Sequence, residues 1–265
     1  MAVPSTLTVL ITGASSGIGE ALARCCARDG HALVLAARSE SKLEQLASGL
    51  RERHGVTVDV IRVDLEAIDG AQLLHREVSA RGRSIDVLIN NAGYGLFGEF
   101  SDLPLAGQLA MMQLNMASLV ALSKLFLPDL MQRRGRLMNV ASTAAFQPGP
   151  YMAVYYATKA FVLSFSEALA EELSDSGVSV TAFCPGPTAS GFQDKAAMHD
   201  SALVKGRSLP SSDEIAERGW RALMRGQRVY IPGALNWLMA QSYRFTPRRV
   251  MTRVVKFISR PKTAS

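Results

Sequence analysis

The chain has 265 residues, of which 48% are hydrophobic, with three cysteines, four histidines and a formal net charge of +6. That length and apolar content suit a single α/β domain with a sizeable core. A disulfide scaffold is excluded, because Cys25 and Cys26 are adjacent and Cys184 sits in an apolar run. The charge is uneven: residues 218–265 hold eleven Lys/Arg and no Asp/Glu, so the rest of the chain is net negative. A nucleic-acid surface spread over the domain is therefore not expected. His31, His54, His75 and His199 lack metal-ligand spacing, so no metal site is expected either. The cysteine pattern and the absence of a secretory segment before the first apolar run point to a reducing, cytoplasmic setting. No run of about twenty apolar residues marks a spanning helix.

Strand and helix patterns alternate at twenty- to forty-residue intervals, as a doubly wound parallel sheet of about seven strands requires. Strands are expected at residues 7–11, 32–37, 56–63, 86–90, 136–141, 178–184 and 228–231. Helices are expected from Glu20 to about Arg28, at 39–53, at 72–81, over the long stretch 105–133, and at 154–174. A further helix starts at Ser211, where Glu214 three residues on completes a capping box. The expected organisation is one α/β domain over residues 1–245, with 189–209 as a mobile loop placed as a lid, followed by a basic amphipathic helix over 246–265. Thr246-Pro247 reads as the N-cap and first turn of that last helix.

Between the first strand and the first helix lies Thr12-Gly13-Ala14-Ser15-Ser16-Gly17-Ile18-Gly19. Glycines permit a tight turn and close backbone approach, and the N–H groups of the helix start attract an anion such as a pyrophosphate. In a doubly wound sheet ligands collect at the carboxyl ends of the strands. The residues there are the glycine turn, Arg38, Asp64, Asn90-Asn91-Ala92-Gly93, Ser142 and Pro185-Gly186. Arg38 follows the second strand with no acid beside it, which favours a ribose 2′-phosphate and hence NADP(H) over NAD(H); otherwise it is a solvated arginine. Asp64 reads either as a partner of an adenine edge or as the N-cap of the next helix.

Tyr155 and Lys159 are four residues apart on one helical face. An ammonium close to the phenol would depress its pKa toward neutrality, as general acid–base work prefers. Ser142 lies just past a strand end on the same rim, where its hydroxyl either donates to a substrate carbonyl or caps a turn. Asn115, flanked by Leu114 and Met116, would be a buried amide that holds a water near Lys159 or ties two helices together.

Together these pieces resemble the short-chain dehydrogenase/reductase family. The matching residues are Thr12-Gly13-x-x-x-Gly17-x-Gly19, Asn90-Asn91-Ala92-Gly93, Asn115, Ser142, Tyr155-x-x-x-Lys159 and Pro185-Gly186, in the family's order and spacing over residues 12–186. The resemblance implies an oxidoreductase in which Tyr155 protonates the substrate oxygen and Ser142 polarises the carbonyl. It implies that Lys159 holds the nicotinamide ribose and lowers the Tyr155 pKa, and that Asn115 anchors a proton-relay water. The cofactor-binding set becomes Gly13, Ser15, Ser16, Gly17, Ile18, Gly19, Arg38, Asp64, Asn91, Ala92, Gly93, Tyr155, Lys159, Pro185, Gly186 and Thr188. The family's valine and threonine after Pro-Gly are here Thr188 and Ser190, either able to bond a carboxamide. A homodimer or homotetramer built on the long helices is also implied.

Leu96, Phe97, Ala144, Phe146, Met152, Pro187, Phe192 and Met198 are expected to line the substrate pocket, which with no basic residue suits a hydrophobic ketone, aldehyde or secondary alcohol. The expected activity is NADPH-dependent carbonyl reduction or its reverse. The competing readings are a cofactor-sensing binding protein without turnover and a membrane-peripheral adaptor acting through its tail. In that tail, Val250, Met251, Val254, Val255 and Ile258 form an apolar stripe among Arg248, Arg249, Arg253, Lys256 and Arg260. Such a helix suits an anionic membrane surface, its own domain or a partner subunit.

Overall fold

The structure, a computed structural model, describes residues 6–191, 208–242 and 245–260. Seven parallel strands form one sheet: β1 (Thr8–Thr12), β2 (Ala32–Ala37), β3 (Val58–Arg62), β4 (Val87–Asn90), β5 (Arg136–Val140), β6 (Ser179–Phe183) and β7 (Val229–Tyr230). Their spatial order is β3-β2-β1-β4-β5-β6-β7. The order reverses between β1 and β4, so a crevice opens at their carboxyl ends.

Helices cover both faces: α1 (Gly17–Arg28), α2 (Glu40–His54), α3 (Gly70–Ala80), α4 (Leu105–Met112), α5 (Leu119–Arg133), α6 (Ala153–Glu172) and α7 (Ser212–Met224). Successive side chains of a strand point to opposite faces. Thus Val9 and Ile11 of β1 join Leu33, Leu35, Leu22, Leu43, Trp220 and Leu223 under α1, α2 and α7. Leu10 joins Val34, Leu88, Leu74, Val78, Phe126 and Leu130 under α3 and α5. Burial on both faces explains why the strands read as continuous apolar runs rather than alternating ones.

Three features differ from the sequence expectations. The stretch 105–133 is helical throughout, but its middle, Gln113–Ser118, is a π turn between α4 and α5. Length and composition alone would let this helix cross a bilayer, which corrects the reading that no segment qualifies. Its face carrying Leu122, Phe126 and Leu130 is buried in the core beside the sheet, so it is a core helix. Next, α8 (Ala234–Ser242) has no counterpart in the expected elements. Finally, the last helix, α9, spans Arg248–Ser259 with Pro247 at its N-cap. Thr246 does not cap it, since its Oγ1 donates back to Ser242 O at 3.0 Å. By contrast Ser211 does cap α7, its Oγ accepting from Glu214 N at 3.1 Å.

A buried polar chain ties β4 and β5 to α6. Asn90 Nδ2 donates to Asn139 Oδ1 at 3.0 Å and to Ser123 Oγ at 3.1 Å, and Asn139 Nδ2 donates to Ser166 Oγ at 2.9 Å. Asn139 is fully buried, so removing its amide strands two partners in the core. Asn139→Ala is expected to lower unfolding stability by about 1–3 kcal/mol, read as a lower urea midpoint with an unchanged slope.

Candidate functional site

A cleft of about 1230 Å³ runs along the carboxyl edge of the sheet, lined from the glycine turn to α9. Gly13 (φ 66°) and Gly17 (φ 61°) both occupy the left-handed region, which glycine adopts without strain. A Cβ on Gly13 would lie 2.9 Å from Ala92 Cα, so only glycine fits against the end of β4. Ser16, at the N-cap of α1, is extended and makes no capping bond. Ser15, Ser16, Gly17 and Ile18 line the cleft, and the open first turn of α1 is a cradle of the kind that accepts phosphate oxygens. Gly19 lies behind this lining. A Cβ there would run into the Asn91 side chain and Gly13 O, so it serves the packing of helix on turn.

Arg38, Ser39 and Lys42 line the rim beyond β2. The Arg38 guanidinium is exposed and pairs with Glu66 Oε1 at 2.8 Å. Lys42 was not singled out from sequence, although it stands one helical turn beyond Arg38 at the start of α2. Asp64 also lines the cleft, but it does not cap α3, whose N-cap is Asp69. Its Oδ1 instead accepts from Glu66 N at 3.0 Å, closing its own turn.

At the switch point Thr12 Oγ1 accepts from both Asn91 N and Ala92 N at 3.0 Å, while Asn91 Nδ2 donates to Thr12 O at 2.9 Å. Gly93 comes next, where a Cβ would stand 2.9 Å from Asn115 Oδ1 and 3.6 Å from Lys159 Nζ. Asn115 sits in the π turn, 1% exposed and behind the cleft wall. Its Nδ2 donates to Tyr94 O at 2.9 Å and to Thr158 Oγ1 at 3.1 Å, and its Oδ1 accepts from Tyr94 N at 3.2 Å. Of the two readings open from sequence, this geometry is that of a tie between helices; Thr158 is the residue before Lys159.

Ser142, Tyr155 and Lys159 line the cleft together. Ser142 follows β5 and heads a 3₁₀ turn, Thr143–Phe146. Its Oγ accepts from Ala144 N at 3.1 Å and donates to Pro185 O at 3.4 Å, and the hydroxyl is near enough to Tyr155 to favour the ionised phenol. Of the two sequence readings of Ser142, the turn cap is observed, and its hydroxyl lies on the cleft wall. Lys159 Nζ donates to Val140 O at 2.8 Å and lies 5.8 Å from the centroid of the Tyr155 ring.

The expected depression of the Tyr155 pKa is not what the structure gives. Burial pushes this phenol well above its ordinary value, and the nearby Ser142 hydroxyl only partly opposes the shift. Lys159 moves the other way: burial pulls its ammonium down to about 8, with the nearby Cys184 thiol opposing. Desolvation disfavours the charged form of each, which is why the two values move apart, the phenol upward and the ammonium downward.

Pro185, Gly186, Pro187, Thr188 and Ser190 continue the wall. Thr188 is buried, its Oγ1 donating to Gly186 O at 2.9 Å. The segment passes close over the glycine turn, because a Cβ on Gly17 would meet Ser190 Cβ at 3.3 Å. Gly186 packs on Asn236 of α8, whose Nδ2 would be 2.7 Å from an added Cβ. Leu235, Asn236, Met239 and Ala240 of α8 and Ile258 of α9 also line the cleft, none of them foreseen. Residues 235–240 carry no cap or clear period, so only their spatial neighbours reveal them.

Of the expected pocket residues, Leu96, Ala144, Met152 and Pro187 line the cleft. Phe97 instead packs beside Tyr151 and the Met152–Tyr155 cluster, and Phe146 packs under Ala141 and Val162. Phe192, Met198 and most of the expected 189–209 lid lie outside the described residues. As for the tail, α9 docks on its own domain: Val255 is buried with Met111, Ala144, Met152, Tyr155 and Tyr156, and Ser259 is buried as well.

A doubly wound sheet with a glycine turn and a serine, tyrosine and lysine on one wall defines the oxidoreductase class of dinucleotide folds. Residues 7–200 match the short chain dehydrogenase family profile, and the chain belongs to that family, whose enzymes interconvert CH–OH and C=O groups. The chain is 34% identical over 180 residues to the ketoacyl reductase HetN of Nostoc sp., a match that covers 68% of this chain but only 62% of that relative. A short-chain dehydrogenase from Sphingobium yanoikuyae in complex with NADPH superposes with a TM-score of 0.81 at 33% identity, covering 98% of both chains. The bulky-bulky ketone specific alcohol dehydrogenase from Comamonas testosteroni gives 0.78 at 30% identity, again over 98% of each.

The burial of Lys159 carries a stability consequence. Its folded pKa lies below its unfolded one, so the cost of burying the charge is full below about 8 and is relieved as pH rises toward 10.5. At roughly 1.4 kcal/mol per pKa unit the relief is on the order of 3 kcal/mol. Wild type should therefore gain stability relative to Lys159→Met between pH 7 and pH 10, measured as the change in the difference of their denaturation midpoints.

Proposed function

We propose that this chain is an NADP(H)-dependent carbonyl reductase acting on a hydrophobic ketone or aldehyde, or on the alcohol in reverse. The observation that carries the reading is the convergence of Ser142, Tyr155 and Lys159 on one wall of a cleft whose far end is the glycine cradle and the Arg38–Lys42 rim. The close packing at Gly13, Gly93 and Gly186 leaves backbone, not side chains, along the floor where a dinucleotide would lie. The open turn of α1 would hold the pyrophosphate, Asp64 the adenine edge and Lys159 the nicotinamide ribose. Asn91 to Gly93, Pro185, Gly186 and Thr188 would border the nicotinamide. When bound, the nicotinamide supplies or takes up the hydride.

The remaining chemistry belongs to the chain. With burial raising its pKa, the Tyr155 phenol stays protonated at neutral pH, which is the form that reduction requires of an acid. Ser142 Oγ holds the substrate oxygen and Tyr155 Oη gives it the proton. The phenolate left behind is stabilised by Ser142 and by the Lys159 ammonium. Asn115 holds the π turn to Thr158 and so positions Lys159; a relay water on this amide belongs to the same proposal.

Apolar walls at Leu96, Ala144, Met152, Leu235, Met239 and Ile258 support a hydrophobic substrate. The ketoacyl reductase and the ketone-specific dehydrogenase among the relatives agree with that class. The preference for NADP(H) rests on Arg38 and Lys42, two cations on the rim where a 2′-phosphate would sit.

Tyr155→Phe should lower turnover of a hydrophobic ketone by roughly 10²–10⁴-fold while NADPH binding, followed by fluorescence titration, stays close to wild type. Wild-type rates in that variant would refute the assignment. Arg38→Ala should raise the NADPH Kd by about ten- to a hundredfold, as for a bond to a charged group, and leave NADH nearly unaffected. Equal losses for both would reverse the preference.

A further inference from the structure

Two helices at the end of the chain present more apolar surface than their docking uses. At about 100° per residue, α9 has three distinct sides. Met251, Val255, Ile258 and Ser259 face the domain, Val255 and Ser259 being buried. Val250, Val254 and Phe257, spaced as one stripe, are exposed, Phe257 to 64%. Arg249, Arg253, Lys256 and Arg260 make an exposed basic stripe flanking that second apolar one, and the Arg260 guanidinium stacks 4.4 Å from the Phe257 ring centroid. On α8, Trp237 and Leu238 are more than half exposed, as is Phe245 between the two helices. Scattered exposed apolar residues are ordinary, but this many aromatic and aliphatic side chains exposed on two successive helices that wall the same cleft call for an explanation.

We propose that α8 and α9 form a docking surface for an anionic lipid bilayer, placed beside the cleft that the same helices wall. Charge selects this occupant. Residues 234–265 hold seven Lys/Arg and no acidic residue, so a second copy presenting the same face would meet like charge with like. A bilayer with anionic headgroups satisfies both stripes at once: Val250, Val254 and Phe257 enter the acyl boundary, the arginines reach the headgroups, and Trp237 lies at the interface. Because Leu235 and Met239 of α8 and Ile258 of α9 line the cleft, a membrane-dissolved ketone would reach the site without crossing bulk water. This last step rests on the carbonyl-reductase reading; the docking does not.

The full chain is incubated with vesicles of phosphatidylcholine containing phosphatidylserine and with vesicles of phosphatidylcholine alone, and bound protein is measured by sedimentation at low and high salt. Binding confined to the anionic vesicles and weakened by salt is expected. Arg249→Gln with Arg253→Gln should weaken it about thirtyfold at roughly 1 kcal/mol per charge. Phe257→Ser should weaken it by about tenfold through lost apolar burial. All three side chains lie outside the catalytic and cofactor-binding set, so turnover of a water-soluble ketone should be unchanged, and equal melting temperatures confirm folding. No binding to either vesicle overturns the proposal, as does equal binding to both that salt and the arginine variants leave unmoved. Self-association that Phe257→Ser dissolves, without vesicle binding, also overturns it and gives the face to a second copy. Loss of turnover in wild type would bear on the reductase reading alone.

Discussion

The site depends on how the carboxyl ends of β1 and β4 are locked together. Thr12 Oγ1 takes the N–H groups of Asn91 and Ala92, and the Asn91 amide returns a bond to Thr12 O. Buried hydrogen bonds of this kind are costly to leave unmade, so the two strand ends cannot separate without stranding several groups at once. The lock presses the glycine turn against Ala92, which is why Gly13 tolerates no side chain. It also sets Gly93 at the meeting point of Asn115 and Lys159. The glycine turn and the Asn115–Lys159 wall are thus two ends of one hydrogen-bonded and close-packed assembly.

Burial tunes the chemistry in that assembly. Tyr155 and Lys159 are each held in surroundings that disfavour charge, so the phenol is kept protonated and the ammonium is eased toward neutrality. The carbonyl of Val140 gives Lys159 a partner that leaves its protonation free to change, unlike a carboxylate, which would fix the positive charge. Ser142 completes the arrangement by capping its own turn and donating to Pro185 O, which fixes its Oγ on the cleft wall.

Much of this was legible in the sequence because its causes are local. A continuous apolar run of five residues forms a doubly buried strand, Gly13 and Gly17 mark left-handed turns, and Ser211 with Glu214 marks a helix start. What stayed hidden depends on partners far along the chain. Gly186 is small because Asn236, fifty residues later, occupies the space a Cβ would need. The helix bearing Asn236 lacks caps and period, so nothing nearby announces it. Tyr155 read as acidified because the spacing to Lys159 is visible and the burial that outweighs it is not. The tail's amphipathic stripe was evident, yet which of its two apolar edges docks became clear only from the packing of Val255 beside Tyr155 and Tyr156.

The π turn at Gln113–Ser118 has one more implication. A π turn amounts to one residue inserted into an otherwise regular helix. The surplus residue resets the phase of everything downstream, allowing Asn115 to face Thr158 while Leu122, Phe126 and Leu130 still face the sheet. Chain length in this segment is therefore counted residue by residue: shortening it by one would let the hydrogen-bond ladder run unbroken from Leu105 to Arg133, and either the amide or the core face would lose its alignment. The most irregular stretch of the longest helix is where evolution has least room for a deletion.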